Sequence, residues 1–522
     1  MRAARKQTTS TLLTAALTFA ALAFTTLVLL GVSATLGDTR LLLLTEPLNW
    51  LAGLNDAEVF DTLSNAAEVV AAVLAIAITV VAIVVELAAT RYSHLITRLF
   101  VGEPTNIVVL GLLVITSLQC MWAAAFLAET AGDALVPQAG FAITMSLVTV
   151  SMLVLLPYIY FVFNFLSPIN IIEKISGNAY RTVVGVKPSN VASARRKVQS
   201  AVDELQDVGR GAIQQGDRSI AMGTVNALAD LVFGYAEIRD RLPVEWFEMS
   251  ELVADDPDFV ALAAQSIEEI RNQGLWLETK IFRRFLSLLT QASGNSRDVA
   301  NLIGIHSQRI AVALGSKRPE LLTLCVRAFN SYLRATINAH DPRTAYYLMN
   351  QYRMVADHLI DTDQNDAALE IAGYFHDYGQ LAHGMGTSFL LETAAHDLGQ
   401  LVERAVRSDS PLIDALLECV LELDQEIKEE YHEESLLGVR RTQIQLATLF
   451  LQLGQEDRAR RIADDLKGER LERLERLRAE MLVDDRDQFW ELIDRGHNFG
   501  YLAPDRREFL EPLFVWLRGE TG

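Results

Sequence analysis

The sequence predicts an all-α protein in two parts, a four-helix transmembrane domain followed by a cytoplasmic domain of helical hairpins or solenoid-like stacking. Three observations carry that expectation. Residues 1–166 hold only 6 of the 46 Lys and Arg and 10 of the 66 Asp and Glu. Those few charges are separated by uncharged runs long enough to cross a bilayer. The rest of the chain places apolar residues at helical spacing and shows no alternating strand pattern. Half of the 522 residues are apolar and the mean hydropathy is +0.20, values that exclude a disordered chain. The expected boundaries are 1–172 for the membrane domain, 173–201 for a basic juxtamembrane connector and 202–522 for the helical domain.

Four runs lack any Asp, Glu, Lys or Arg: Gln7–Gly37, Val69–Val85, Pro104–Ala128 and Ala134–Ile172. A span needs about 20 mainly apolar residues, with about 17 as the lower limit. The fourth run is too long for one straight span, so its membrane part is placed at Gly140–Phe165, with Pro157 as a point of kinking. Val32-Ser33-Ala34 is similar to a signal-peptide cleavage site. The run before it, however, exceeds the usual apolar region of about 7–15 residues, so the first run is read as a retained span.

Arg2, Arg5 and Lys6 precede the first span, and Arg91, His94 and Arg98 lie between the second and third. The opposite side carries only Arg40 among Asp38, Glu46, Asp56, Glu58 and Asp61, then Glu129 and Asp133. Basic loops stay cytoplasmic. The expected location is therefore the inner membrane of a bacterium, crossed several times, with both termini in the cytoplasm.

In the second span Glu68 and Glu86 stand 18 residues apart, about five turns and roughly 27 Å, on one face. Between them that face reads Ala72, Ala75, Thr79 and Ala82. Two readings stand: small residues admitting a close helix neighbour, or a narrow conduit in an oligomer with an acidic ring at each mouth.

The end of the second span and the start of the third carry Glu86-Leu87-Ala88-Ala89-Thr90-Arg91-Tyr92-Ser93-His94 and Leu99-Phe100-Val101-Gly102-Glu103-Pro104-Thr105, leading into Leu110-Gly111. The segment from about Asp56 to Gly111 resembles the bacterial predicted membrane proteins grouped as domain of unknown function 2254, sharing Tyr92 and Ser93 with that family's cytosolic turn. Ala335-Thr336-Ile337-Asn338 and Asp341-Pro342-Arg343-Thr344-Ala345 are similar to a second pattern of the family. The resemblance implies an integral membrane protein and brings no catalytic residues.

Past the membrane, Lys174, Arg181, Lys187, Arg195, Arg196 and Lys197 follow one another with no acidic residue between them. In a chain of net charge −20 this local inversion predicts contact with anionic lipid headgroups. The acidity of the whole excludes a general nucleic-acid binder. Cys120, Cys325 and Cys419 lie in apolar stretches too far apart for zinc spacing or a disulfide framework, and read as buried thiols.

From residue 202 the helical pattern breaks at Gly216-Asp217, Leu242-Pro243, Asp341-Pro342, Ser410-Pro411 and Ala503-Pro504. Asp217 and Asp341 are expected N-caps, the latter with Pro at the first helical position. Gly216, Ala221 and Val225 share their spacing with His340, Ala345 and Met349, and with Gly454, Ala459 and Ala463. With Ala447 and Phe450, the last set resembles half of a tetratricopeptide repeat. Stacked hairpins of this kind predict a platform for a cytoplasmic protein partner.

The one suggestive catalytic cluster is Phe375-His376-Asp377-Tyr378-Gly379, with His358 before it and His383, His396 and Asp414 after. A His-Asp doublet so flanked resembles the metal site of HD-type phosphohydrolases, so His358, His376, Asp377 and Asp414 are the candidate ligands. The alternative is a set of solvated or hydrogen-bonded histidines. No P-loop, dinucleotide fingerprint or HExxH sequence occurs, so no cofactor is expected. The acidic run from Asp424 to Glu434 reads as a solvated helix face or a docking surface for a basic partner.

Overall fold

The structure is a computed structural model that describes residues 56–91, 103–129, 138–165, 167–248, 256–260, 262–424, 436–483, 486, 495 and 498–519. Among these every regular element is helical, so the all-α class stands. The chain divides into two units, Met1–Ile171 and Ile172–Gly522. The expected first span, Gln7–Gly37, the turn around Tyr92 and Ser93, and the acidic run beyond Asp424 lie outside the described residues.

The first unit contains α1 (Asp56–Arg91), α2 (Pro104–Glu129) and α3 (Gln138–Phe165), which runs through Pro157. In α1 the residues buried against its neighbours include Leu63, Val70, Ala77 and Val84, seven apart. A seven-residue period keeps one seam of a helix against its partners along a shallow left-handed crossing. Val84 and Val70 share a cluster with Val109, Leu113, Tyr158 and Val162, while Val59 and Leu63 meet Ala124 and Phe141. Hydrocarbon surroundings supply no hydrophobic drive to helix association, and buried polar pairs add to the packing. Thr116 and Ser151 share a hydrogen bond of 2.8 Å, and the Tyr158 hydroxyl donates to Asn106 Oδ1 at 3.1 Å.

The second unit receives the chain through α4 (Pro168–Val184), whose Ile172, Ile175, Ala179 and Val183 form a buried stripe at three- and four-residue steps. Then come α5 (Val191–Gln215), α6 (Arg218–Ile238), α7 (Trp276–Ala292), α8 (Arg297–Ala313), α9 (Pro319–Asn338), α10 (Pro342–Asp361), α11 (Asn365–Gly384), α12 (Ser388–Arg407), α13 (Ile413–Glu422), α14 (Leu437–Gln452), α15 (Glu456–Leu466), α16 (Leu471–Val483) and α17 (Leu510–Arg518). From α5 to α14 they form hairpins whose members stack on the second neighbour in sequence. An inner row, α6, α8, α10, α12 and α14, packs more closely than an outer row, α5, α7, α9, α11 and α13.

Four helices start 23 residues apart, at Pro319, Pro342, Asn365 and Ser388, and each is 20 residues long. The residues that end them, His340, Asp363, Gly386 and Asp409, all have positive φ. In each case the next amide donates back into the helix: Asp341 N to Thr336 O at 3.0 Å, then Gln364 to Leu359, Thr387 to Ala382 and Ser410 to Ala405, each at 2.9 Å. This left-handed cap satisfies the otherwise unpaired terminal carbonyls. One turn geometry used four times keeps the stacking in register. The aromatic rings of Phe329, Tyr352 and Phe375, at the same spacing, stack through the core at 4.8 and 5.6 Å between centroids. The expected N-caps are present, with Asp217 accepting from Ile220 N and Asp341 from Thr344 N.

Four helices among the described residues are long and apolar enough to cross a membrane: Glu58–Glu86, Thr105–Ala125, Thr144–Asn164 and Arg218–Arg241. The first three are the expected second to fourth spans. The last lies in the second unit, where Ala221, Val225, Leu228, Val232 and Tyr235 of α6 are buried. Its exposed side carries Asp230 and Glu237. That amphipathic layout is that of a core helix in an aqueous domain.

Candidate functional site

The stripe on α1 lies where neither sequence reading alone could place it. Glu68, Ala72, Ala75, Thr79, Ala82 and Glu86 are all exposed, and at 100° per residue they lie about 160° around the helix from the seam at Leu63, Val70, Ala77 and Val84. Among the described residues α2 and α3 take the opposite face, so neither is the helix neighbour that the stripe would admit. Thr79 spends its hydroxyl on its own helix, donating to Ala75 O at 2.8 Å.

Of the basic connector, Arg181, Lys187, Arg196 and Lys197 are exposed and Lys174 is half-buried. Arg195 is buried, its Nε donating to Trp246 O at 3.2 Å and its guanidinium also reaching Glu245 O. Headgroup contact by Arg195 is corrected accordingly: this side chain fastens the turn at Val244–Trp246 to α5.

The four candidate metal ligands do not converge. Neighbours in a helix point about 100° apart; His376 Nδ1 meets Asp377 Oδ1 at 3.2 Å, and its Nε2 lies 3.4 Å from Glu422 O. Asp414 is held by Arg458 at 2.6 Å and Arg461 at 3.3 Å, and the Arg458 pairing keeps its carboxyl below the usual range. His358 lies in the last turn of α10. His383 accepts from or donates to Ser388 at 3.2 Å, and His396 stacks on Phe499 at 3.9 Å. Among the described residues no group of three His, Cys, Asp or Glu is placed to hold a metal ion, so the HD-type reading has no assembled site here.

What the helical unit does assemble is a series of buried ion groups. Lys280 on α7, fully enclosed, meets Asp203, Asp256 and Asp258 at 2.7–2.8 Å. Glu278, two residues away in the same helix, is pushed up by burial although Arg318 and Arg239 face it at 3.4 and 3.8 Å. Both groups join α7 to its neighbours.

A third group lies on the inner row and involves the chain's C-terminal part. Asp397 on α12 is fully buried; Arg495 donates to its Oδ1 at 2.7 Å, and Arg353 Nε on α10 stands 3.3 Å from the same oxygen. Arg495, its side chain 2% exposed, also donates to Tyr346 O and lies over the Tyr346 ring at 4.1 Å. Arg353 pairs with Asp357 at 2.6 Å. Burial pushes the Asp357 carboxyl up to about 6 against the pull of Arg353 and Arg404, with Asp397 and Asp361 adding to the rise. Further along the chain, the Phe499 ring stacks on His396 of α12 and stands 6.2 Å from Tyr346. The side-chain amide of Gln445 on α14 donates to both Phe499 O and Tyr501 O, at 3.0 and 2.9 Å. Residues 498–503 have no helix or strand of their own. They form a strap across α10, α12 and α14.

Sequence reasoning missed this site. Arg495 and Asp397 are 98 residues apart, and neither belongs to a local motif. The only local signal was His396-Asp397, a doublet like the one at His376.

Residues 6–232 match the family model described as predicted membrane protein (DUF2254). The match spans the three described membrane helices and reaches into α6. No curated protein and no solved structure is similar to the chain.

Proposed function

We propose that the protein is a membrane-anchored platform that binds a protein partner along the inner row of its helical unit, with both termini and that unit in the cytoplasm of a bacterium. The observation that carries this reading is where apolar surface remains exposed. Among the described residues between α7 and α15 the large exposed hydrophobic side chains are Met354 on α10, Phe389 on α12 and Leu453 at the end of α14, all on or directly after inner-row helices. Their placement on one row, rather than on both, supports an interaction surface there. The exposed cations Arg181, Lys187, Arg196 and Lys197 fit a headgroup-facing connector, each supplying about 1 kcal/mol near an anionic surface.

The reading is tested by placing a photo-crosslinking residue in intact cells at 354, 389 and 453, and at Glu320 and Glu370 of the outer row. A discrete adduct from the inner positions alone is expected. Equal labelling from both rows would overturn it, as would phosphoester hydrolysis by the purified protein that His376→Ala abolishes.

A second reading, an oligomeric conduit, has one observation in its favour: the Glu68 to Glu86 stripe faces away from α2 and α3. Cation flux through liposomes that Glu68→Gln or Glu86→Gln reduces would establish it.

A further inference from the structure

The strap turns at Asn498–Tyr501, where Tyr501 N donates to Asn498 O at 3.2 Å, and it divides with the surface beneath it the work of holding the chain in a way that identifies what else could lie there. Gln445 grips the backbone, donating to two carbonyls two residues apart. Such a grip is indifferent to side chains and suits any segment that presents two carbonyls so spaced. The selective parts are elsewhere. One is the Asp397 socket, which receives a guanidinium edge-on and covers it with the Tyr346 ring. The other is the seat formed by His396 and Tyr346, which receives an aromatic ring four residues later in the chain. Tyr346 serves both, and Phe389 backs it at 5.3 Å.

Charge decides what can replace the strap. Asp397 and Asp357 face Arg353 and Arg495, two against two, while neighbouring Asp361 is engaged by Arg404. Taking Arg495 away leaves two carboxylates around one cation in a buried place, a state that is strongly unfavourable. Asp397 Oδ2 is enclosed and without a hydrogen bond even with Arg495 in place. An occupant that brings no cation would therefore be rejected. A lysine would bring charge without the planar fork that reaches Asp397 and the Tyr346 carbonyl together, and without a face to stack on the ring.

We infer that Arg495 and residues 498–503 are a ligand held in cis, and that the surface of α10, α12 and α14 accepts in trans a protein segment presenting an arginine followed four residues later by an aromatic residue at a turn. The inference rests on the platform reading and names its partner's chemistry. The strap then sets the threshold for binding, since a partner must displace it to enter.

The test uses the full-length protein in detergent and a fluorescent peptide of residues 494–503. Wild type is expected to bind it weakly, because its own strap competes. The strap-release variant Arg495→Ala with Phe499→Ala should bind at least 10-fold more tightly. Adding Asp397→Asn to that variant should remove the gain, and the peptide with Ala in place of its arginine should bind at least 10-fold less tightly. Gln445→Ala in the release background should weaken both peptides by a similar factor, which keeps the backbone grip testable should Asp397→Asn impair folding. Equal affinity of wild type and release variant would overturn the inference, as would binding indifferent to the arginine. Its failure is separable from that of the platform reading: inner-row crosslinks without peptide binding would sink the strap alone, and peptide binding without crosslinks in cells would sink the platform.

Discussion

The two units both carry small residues on helix faces, yet they place them on opposite sides of the packing problem. In the helical unit, glycines sit at the crossings: a Cβ at Gly399 of α12 would come within 2.6 Å of Thr442 Cγ2 on α14, and one at Gly304 of α8 within 2.9 Å of Leu348 Cδ2 on α10. In α1 the aliphatic seam is buried, and the run of Ala72, Ala75, Thr79 and Ala82 looks outward. In water, the apolar stripe of a helix identifies its buried face, and small residues mark where that face approaches another. In a bilayer every face of a spanning helix is apolar, so composition stops naming the packed side and only the seven-residue period still does.

Overpacking a crossing of the inner row should have the largest effect. Gly399→Leu is expected to cost about 3 kcal/mol or more, read as a lowered denaturation midpoint, because Thr442 is β-branched and buried and has little room to yield. The next contrast lies within α1. Ala77→Leu, on the seam, should destabilise the membrane unit by about 1–3 kcal/mol, while Ala75→Leu on the stripe should change the unit's own stability by under about 0.5 kcal/mol. A large effect of Ala75→Leu on oligomeric mass would bring the conduit reading forward.

Smaller effects separate two buried titrations of opposite sign in the helical unit. His306 is pushed down to about 4 by burial, with Arg309 adding to the fall, while its Nε2 meets Asn226 Oδ1 at 2.7 Å. The unfolded chain binds that proton more tightly, so this group's contribution is present above about pH 6.5 and is lost as pH falls toward 4. Asp357 behaves in the reverse sense, since its folded form holds the proton up to about 6 and stability falls as pH rises between about 4 and 6. Each is worth at most about 3 kcal/mol by its shift, and in the wild type they largely offset. Thermal denaturation from pH 4 to 7 should therefore be steeper for Asp357→Asn than for wild type, and flatter or inverted for His306→Gln. Parallel profiles would contradict both assignments.

How much of this the sequence disclosed differs by feature. The uncharged runs located α1, α2 and α3 because a bilayer tolerates few charges, and the face of the Glu68 stripe was legible as a face. Its direction was not, for the reason that α1 is apolar all round. The turns at Asp341-Pro342 and Ser410-Pro411 were legible through proline. Those at Asp363 and Gly386, which complete the 23-residue spacing, were not, because only one of the four left-handed residues is glycine. His376-Asp377 looked like a metal site because adjacency in sequence was taken for convergence in space. The Asp397 site went unread for the opposite reason, since its members come from α10, α12 and a strap far along the chain and share no spacing.

The account turns on the strap being a separable occupant of the inner row, not a structural part of it. Hydrogen–deuterium exchange of the full-length protein, wild type against Asp397→Asn, measures this directly. Residues 498–503 should lose protection in the variant while α8 to α12 keep theirs. Loss of protection across α10 and α12 together with the strap, or a strap as protected as in wild type, would contradict it.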